Sequence, residues 1–174
     1  MEPSTVLELA GPDDADAVTA LRDAAARWQL DRGISQWMPG QLPPALLDRQ
    51  IRAREFFVLR VDGLVVAAVR IAWSDAPIWT DEEAETAGYI HTLVTVQPGR
   101  GRGAEVLTWA EGEIGRRGRS RARLDCVASN RRLRAYYRAR GYTEVGVFNS
   151  DSRFPPLQRF EKYLPHRSPG PGGQ

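Results

Sequence analysis

The chain has 174 residues, 42% of them hydrophobic and 26% charged, with a formal net charge of only +2, which is typical of one soluble globular domain. No apolar stretch approaches the roughly 20 residues that span a bilayer, the first residues lack the regions of a secretory signal, and the single cysteine, Cys126, excludes an internal disulfide. We therefore expect a cytoplasmic protein with one domain over residues 1–164 and a disordered Pro- and Gly-rich tail over 165–174.

The first part of the chain predicts one strand and two helices. Residues 5–10 alternate between apolar and polar side chains like a short strand. The Gly-Pro-Asp-Asp that follows is typical of a helix start, and apolar residues then recur at helical spacing from Val18 to Trp28, before Gly33. A second, shorter helix is expected over residues 44–54.

A β-hairpin is predicted in the middle of the chain. The β-rich runs 56–61 and 64–73 are separated only by Asp62 and Gly63, and this dipeptide favours the tight turn of a two-residue hairpin. An acidic loop over residues 74–87 follows.

The rest of the chain alternates between strands and helices. Residues 89–96 indicate a buried strand, and the later segments predict a helix over 103–115, a strand over 123–128, a helix over 130–140 that Gly141 caps, and strands over 142–148 and 159–164. The order is β-α-α-β-β-β-α-β-α-β-β, which implies a mixed α/β domain.

The segment VQPGRGRGAEVLTWAE, residues 96–111, places glycines between a strand and a helix. Because Gly99, Gly101 and Gly103 lack a Cβ atom, the backbone can turn tightly and a ligand can approach its N–H groups. The positive end of the following helix favours phosphate oxygens, and Arg100 and Arg102 carry the same sign. The loop therefore predicts a site for a phosphate ester.

Two common glycine loops do not fit this segment. A nucleotide-triphosphate loop ends in Gly-Lys-Ser/Thr, whereas this chain has Gly103, Ala104 and Glu105 there. A dinucleotide fingerprint needs a third glycine where Val106 stands. Taken alone, the loop could also be a turn that binds nothing.

A second motif, LDCVASNRRLRAYYRARGY, follows at residues 124–142, with Asn130, Tyr137, Gly141 and Tyr142 in fixed spacing. Together the two motifs resemble those of the GNAT superfamily of acyl-CoA-dependent N-acyltransferases, and the resemblance covers residues 89–148 well. It implies a central, mostly antiparallel sheet of about 6–7 strands flanked by about four helices.

The resemblance implies that acetyl-CoA is the cosubstrate. The glycine loop would hold its pyrophosphate, the strand before the loop would offer backbone groups to the pantetheine and the thioester oxygen, and Asn130 would help to seat it. The expected cofactor contacts are Leu93, Val94, Thr95, Val96, Gly99, Arg100, Gly101, Arg102, Gly103, Ala104, Asn130 and Tyr137.

The register of the glycine loop has two solutions. With Gly101 and Gly103 as the family's paired glycines, the apolar pair that follows falls in place, but Pro98 stands where Arg or Gln is usual. The other register puts Glu105 where a small residue belongs. We prefer the first, with Glu105 turned toward solvent.

Two residues are candidates for the catalytic chemistry. Tyr137 matches the tyrosine that commonly protonates the departing thiolate in this family, although it could instead fill the core beside Tyr136. His91 lies in a His-x-Leu segment similar to one in arylalkylamine acetyltransferases, and an imidazole suits proton removal near neutral pH. A structural histidine and a base made of ordered water remain alternatives.

The acceptor side is less specified. Trp28, Trp37, Trp73 and Tyr89 are predicted to line an aromatic pocket, and the acidic loop could attract a cationic amine, although core packing and a solvated loop explain the same residues. We expect direct acetyl transfer to a primary amine of a small molecule in a ternary complex, by a monomer or homodimer without a metal site.

Three other functions remain open at this stage. A peptide or protein N-acetyltransferase and a non-catalytic acyl-CoA-binding regulator would use the same fold. The arginine-rich segments 116–123 and 131–134 suggest a nucleic-acid-binding module, but no reading motif accompanies them. We therefore expect neither a nucleic-acid nor a membrane partner.

Overall fold

The computed structural model describes residues 6–80, 84–96, 101–150 and 154–165. Its strands are β1 (Glu8–Leu9), β2 (Phe56–Val61), β3 (Leu64–Ala72), β4 (Ala87–Thr95), β5 (Arg121–Val127), β6 (Thr143–Phe148) and β7 (Leu157–Tyr163). Its helices are α1 (Ala15–Leu30), α2 (Pro44–Arg52), α3 (Arg102–Arg116) and α4 (Arg131–Ala139). The predicted order of strands and helices is confirmed, and short 3₁₀ turns at Pro12–Asp14 and Ala84–Thr86 are added to it. All but Pro165 of the predicted tail lies outside the described residues.

The seven strands form one sheet in the order β1-β2-β3-β4-β5-β7-β6. Neighbouring strands are antiparallel except for β4 and β5, which are parallel, so the predicted mostly antiparallel sheet is confirmed. The β2–β3 hairpin turns at Asp62 and Gly63, whose φ angles of 51° and 78° are the left-handed values that this two-residue turn requires. No helix in the described ranges is long and apolar enough to cross a membrane.

The helices cover both faces of the sheet. Because side chains alternate along a strand, Val69 in β3 joins α3 on one face, whereas its neighbour Ala68 joins α1 and α2 on the other. Cys126 is fully buried on the α3 face, and burial raises the pKa of its thiol to about 12, as expected for a small core residue.

Gly88 in β4 allows α3 to approach the sheet closely. A Cβ atom there would lie 2.6 Å from Ile114 Cγ1 and 2.9 Å from both Cδ1 and Cγ2. We expect Gly88→Ala to destabilise the fold by about 1–3 kcal/mol, because the core cannot take the extra methyl group without moving the helix. Thermal unfolding should show a melting temperature several degrees lower. Gly115→Ala is the control, since a Cβ atom there meets nothing within 4 Å; an equal loss of stability in both variants would contradict the packing argument.

Candidate active site

A cleft opens in the middle of the sheet, where β4 and β5 part. The two strands pair only at Ala87–Arg121, Gly88–Ala122 and Tyr89–Arg123. Beyond this point β4 has a β-bulge where it pairs with β3. Val94 pairs with Ala68 and His91 pairs with Arg70, so β4 has one more residue than β3 between the two pairs, and Thr92 takes a φ of 48°. The edge of β4 that faces the opening is thus free to bind the amides of an extended ligand.

A cavity of about 560 Å³ fills this opening. The predicted site residues that it brings together come from α1, the α1–α2 loop, β4, the start of α3 and α4: Trp28, Trp37, His91, Leu93, Val94, Thr95, Gly101, Gly103, Ala104 and Tyr137. Lining residues that the sequence interpretation missed include Gln36, Asp125, Tyr136 and Arg140.

Two residues predicted to bind the substrate, Tyr89 and Trp73, are not among the cavity-lining residues, and the prediction is corrected for both. Tyr89 is fully buried before the point where the strands part, and its hydroxyl accepts a hydrogen bond from Arg123 Nη1 at 3.3 Å. Trp73 packs against the core on the α3 face, with the Arg117 guanidinium carbon 4.7 Å from its ring centre. Both are packing residues.

Some predicted cofactor contacts are not among the cavity-lining residues. Asn130 caps α4, where its Oδ1 accepts the Leu133 N–H at 3.1 Å and its Nδ2 donates to Gln36 Oε1 at 3.2 Å. The same Gln36 oxygen accepts the Val127 N–H at 3.1 Å, so it ties the α1–α2 loop to the end of β5. Val96 is exposed beyond β4, Arg102 is half-buried outside the lining, and Gly99 and Arg100 lie outside the described residues.

The start of α3 forms a cradle that suits a phosphate group. Gly101 is its N-cap with φ 81° and ψ −19°, a left-handed conformation that favours glycine. A Cβ atom on Gly103 would lie 3.4 Å from Tyr136 Oη and 3.8 Å from Leu93 Cδ2, so the absence of a side chain keeps this space open. Glu105 is exposed, as the preferred register requires. The N–H groups of Arg102 and Gly103 have no acceptor among the described residues and can bind oxygen atoms of a ligand, whereas the Ala104 N–H donates to Gly101 O at 2.9 Å.

Tyr137 places a protonated hydroxyl beside the cavity. Its ring packs against Phe160, with centroids 5.5 Å apart, and against Tyr142 at 5.9 Å. Burial raises the pKa of the Tyr137 hydroxyl well above its ordinary value, so the group keeps its proton at neutral pH. It is therefore suited to donate a proton and not to accept one.

His91 lies between two carboxylates. Its Nε2 is 3.4 Å from Asp75 Oδ2. One imidazole nitrogen of His91 and one carboxylate oxygen each of Asp75 and Asp125 all lie within 4.8 Å of one another. Burial raises the pKa of Asp125, His91 opposes this effect and Asp75 adds to it. A signal for Asp125 exists in the sequence, because it is a charged residue inside the apolar run LDCVA.

The two tryptophans of the cavity have arginines against their rings. The Arg32 and Arg132 guanidinium carbons lie 4.1 Å and 5.5 Å from the Trp28 ring centre, and Arg22 lies 4.9 Å from that of Trp37. These cation–π contacts use ring faces that the sequence interpretation assigned to a cationic substrate.

Known proteins are similar to this chain in sequence and in fold. The Acetyltransferase (GNAT) family pattern matches residues 22–142. The chain is 35% identical to the uncharacterised N-acetyltransferase YesJ of Bacillus subtilis strain 168, over 78% of this chain and 79% of that protein.

Solved structures share the whole fold. A GNAT-family acetyltransferase from Listeria monocytogenes superposes with a TM-score of 0.75 at 21% identity, over 91% of this chain and 94% of that one. The putative acetyltransferase yncA from Salmonella typhimurium, solved with its cofactor acetyl-CoA, gives a TM-score of 0.68 at 14% identity, over 97% and 98%. The sequence and structural matches agree with the two motifs and with the divided β4–β5 pair: the chain belongs to the GNAT family and is an N-acetyltransferase.

Proposed function

We propose that this enzyme transfers the acetyl group of acetyl-CoA to a primary amine of a small molecule, by direct attack in a ternary complex within a single domain over residues 1–164. The supporting observation is one cavity that contains the glycine cradle of α3, the open edge of β4, the Tyr137 hydroxyl and the His91–Asp125 pair. Acetyl-CoA supplies the thioester, whose acyl carbon accepts the amine.

The described residues fit a CoA-type cosubstrate. The N–H groups at the start of α3, with Gly101 and Gly103, would hold the pyrophosphate, and the free edge of β4 would pair with the pantetheine amides. Arg140 also lines the cavity, with its guanidinium carbon 4.1 Å from the Tyr136 ring centre and a buried Nε that has no hydrogen-bond partner among the described residues. This cation would add to the attraction for phosphate oxygens.

Two side chains would move the protons of the reaction. His91 would accept a proton from the ammonium form of the acceptor, which frees the nitrogen lone pair to form the new C–N bond. As the C–S bond breaks, the Tyr137 hydroxyl would give its proton to sulfur, and the nitrogen, which is positively charged after the attack, would lose its second proton to solvent. The proton held by His91 would then return to the Tyr137 oxygen through solvent, so that both groups are ready for another cycle.

We expect Gly101→Ala to weaken CoA binding about 5- to 30-fold, because a Cβ atom at φ 81° strains the loop by about 1–2 kcal/mol and shifts the N–H groups of the cradle. Calorimetric titration with CoA measures this change. Gly118→Ala is the matched control, since Gly118 has φ 77°, lies just beyond the other end of α3 and has free space around it. Unchanged CoA affinity in a folded Gly101→Ala variant would contradict the assignment of the cradle.

Titration of the protein with acetyl-CoA, CoA and ATP, followed by a thiol-release assay over a panel of amines, tests the proposed function. We expect micromolar binding of both CoA species, little response to ATP and CoA release with small amines. Tight acetyl-CoA binding without turnover of any amine would favour a regulatory role. Turnover of peptides alone would favour a peptide N-acetyltransferase.

The arginine-rich segments give little support to a nucleic-acid-binding function. Five of their eight arginines are paired with glutamates of the same fold: Arg116 and Arg117 with Glu113, Arg121 and Arg123 with Glu161, and Arg134 with Glu144. Paired guanidinium groups are less available to phosphates than free ones. Salt-sensitive binding to DNA would be the contrary result.

A further inference from the structure

Two carboxyl groups, one of them in the cavity lining, lie close to the lining residue His91. Asp125 Oδ2 and Asp75 Oδ2 are both buried and form no hydrogen bond with any described residue. The nearest ion-pair partner of Asp75 is the His91 imidazole, and Asp125 has no ion pair within the described ranges. Two half-buried carboxyl groups thus lie beside one imidazole, which can carry at most one positive charge.

The cations nearest to these carboxylates in sequence and register bind other groups. Arg159 pairs with Asp125 across the β5–β7 ladder, but its Nη1 donates to Ile78 O at 3.3 Å and its Nη2 donates to Val145 O at 3.4 Å. Arg70 pairs with His91 across the β3–β4 ladder, but its Nε donates to Glu55 at 2.7 Å. Arg123 precedes Asp125 by two residues in β5, and its Nε donates to Glu161 at 2.7 Å. Because a buried charge without a partner is unfavourable, a cation from outside the described fold would stabilise these carboxyl groups in their charged form.

Two groups of cavity-lining residues differ in charge. Gly101, Gly103 and Arg140 offer N–H groups and a guanidinium, which suit the anionic cosubstrate. His91 and Asp125 offer acceptor atoms instead, and the rings of Trp28 and Trp37 already contact arginines. A cation beside the second group would therefore be recognised by Asp125 and not by an aromatic cage.

We propose that Asp125, supported by Asp75, is the binding site for the ammonium group of the acceptor, so that the acceptors are amines that are cationic in solution, such as alkylamines, and not neutral arylamines. This inference rests on the proposed function and specifies its substrate class. The ammonium would lie beside His91, the group that would receive its proton.

Direct binding tests the site without catalysis. The protein is saturated with CoA, which cannot react, and titrated with pairs of matched size: benzylamine and benzyl alcohol, 2-phenylethylamine and 2-phenylethanol, butylamine and butanol. Each amine is protonated at pH 7.5 and each alcohol is neutral. We expect the ammonium member of at least one pair to bind about tenfold more tightly, because a charge-assisted hydrogen bond to a buried carboxylate contributes more than a neutral one.

Asp125→Asn tests the residue, because the amide keeps the size of the side chain and removes its charge. We expect the preference for the ammonium member to disappear and KM for cationic amines to rise at least tenfold, while CoA affinity stays within twofold. Asp48→Asn is the control, since Asp48 is exposed on α2. If Asp125→Asn does not fold, the paired titrations of the wild-type protein decide alone.

Each of the following results would overturn the proposal. Equal binding of amines and alcohols, or no binding of any cationic amine, would show that there is no ammonium site. If CoA were still released with other acceptors, the proposed function would stand. Turnover of aniline as fast as benzylamine would do the same. Loss of activity with a chelator and its return with a divalent ion would assign Asp75, His91 and Asp125 to a metal. Failure of all amines to release CoA would instead end the proposed function, and this inference with it.

Discussion

We expect Tyr137→Phe to lower kcat roughly a hundredfold or more while acetyl-CoA affinity and folding stay nearly unchanged. The substitution removes only the hydroxyl, and general acid catalysis typically contributes about 10²- to 10⁴-fold. The phenylalanine ring keeps the contacts with Phe160 and Tyr142, and the hydroxyl forms no hydrogen bond with the described residues that would be lost. Steady-state kinetics with a turned-over amine, together with titration and thermal unfolding, measures the three quantities.

Tyr142→Phe is the control for this prediction. Tyr142 is buried, and its hydroxyl donates to Glu111 at 2.9 Å, on the side of the ring away from the cavity lining. We expect this variant to lose stability and to keep its turnover. If Tyr137→Phe lost kcat and CoA affinity equally, or did not fold, Tyr137 would have a structural role only.

The second large effect is expected for His91→Gln. Glutamine keeps a polar side chain in the bulge of β4 but cannot accept a proton near neutral pH. We expect kcat/KM for a strongly basic amine to fall about 10²-fold or more at pH 7, because the variant must use the small fraction of amine that is already neutral.

The pH dependence separates this role from a structural one. Below an amine pKa of about 10.4, the neutral fraction of the acceptor rises nearly tenfold with each pH unit, so the defect of His91→Gln should shrink as the pH rises. A weakly basic acceptor, already neutral at pH 7, serves as an internal control and should be affected far less. Equal defects at every pH would place the histidine in the scaffold, and no defect would favour proton removal by ordered water.

Much of the fold could be predicted because its signals are local. The Asp62–Gly63 turn needs only two neighbouring residues to adopt left-handed angles, and the order of strands and helices follows from periodicities within single segments. The order of strands in the sheet depends on contacts between distant segments. Its mostly antiparallel arrangement therefore came from the family resemblance and not from any single pattern.

The candidate site was predictable only where its residues lie in one motif. The glycine cradle and Tyr137 belong to continuous segments with fixed spacing. Asp75 lies in the loop after β3 and Asp125 lies in β5. Both residues meet His91 only in the folded chain, and no spacing in the sequence indicates this contact. Tyr89 was misplaced because strand alternation shows which side a residue faces, but not where β4 separates from β5.

The separation of β4 from β5 would make the stability of the native fold depend on the supply of its cosubstrate. Among the described residues, β4 and β5 pair at only three positions, with one further hydrogen bond from the Ser120 N–H to Thr86 O at 2.9 Å, so much of the backbone hydrogen bonding that normally holds neighbouring strands together is absent there. A molecule of acetyl-CoA bound along the open edge of β4 and against α4 would bridge the two halves of the sheet and stabilise the native state in proportion to the logarithm of its concentration. In a cell short of acetyl groups, the protein would then be easier to unfold and to degrade, so that enzyme abundance would follow metabolic state without a dedicated regulator.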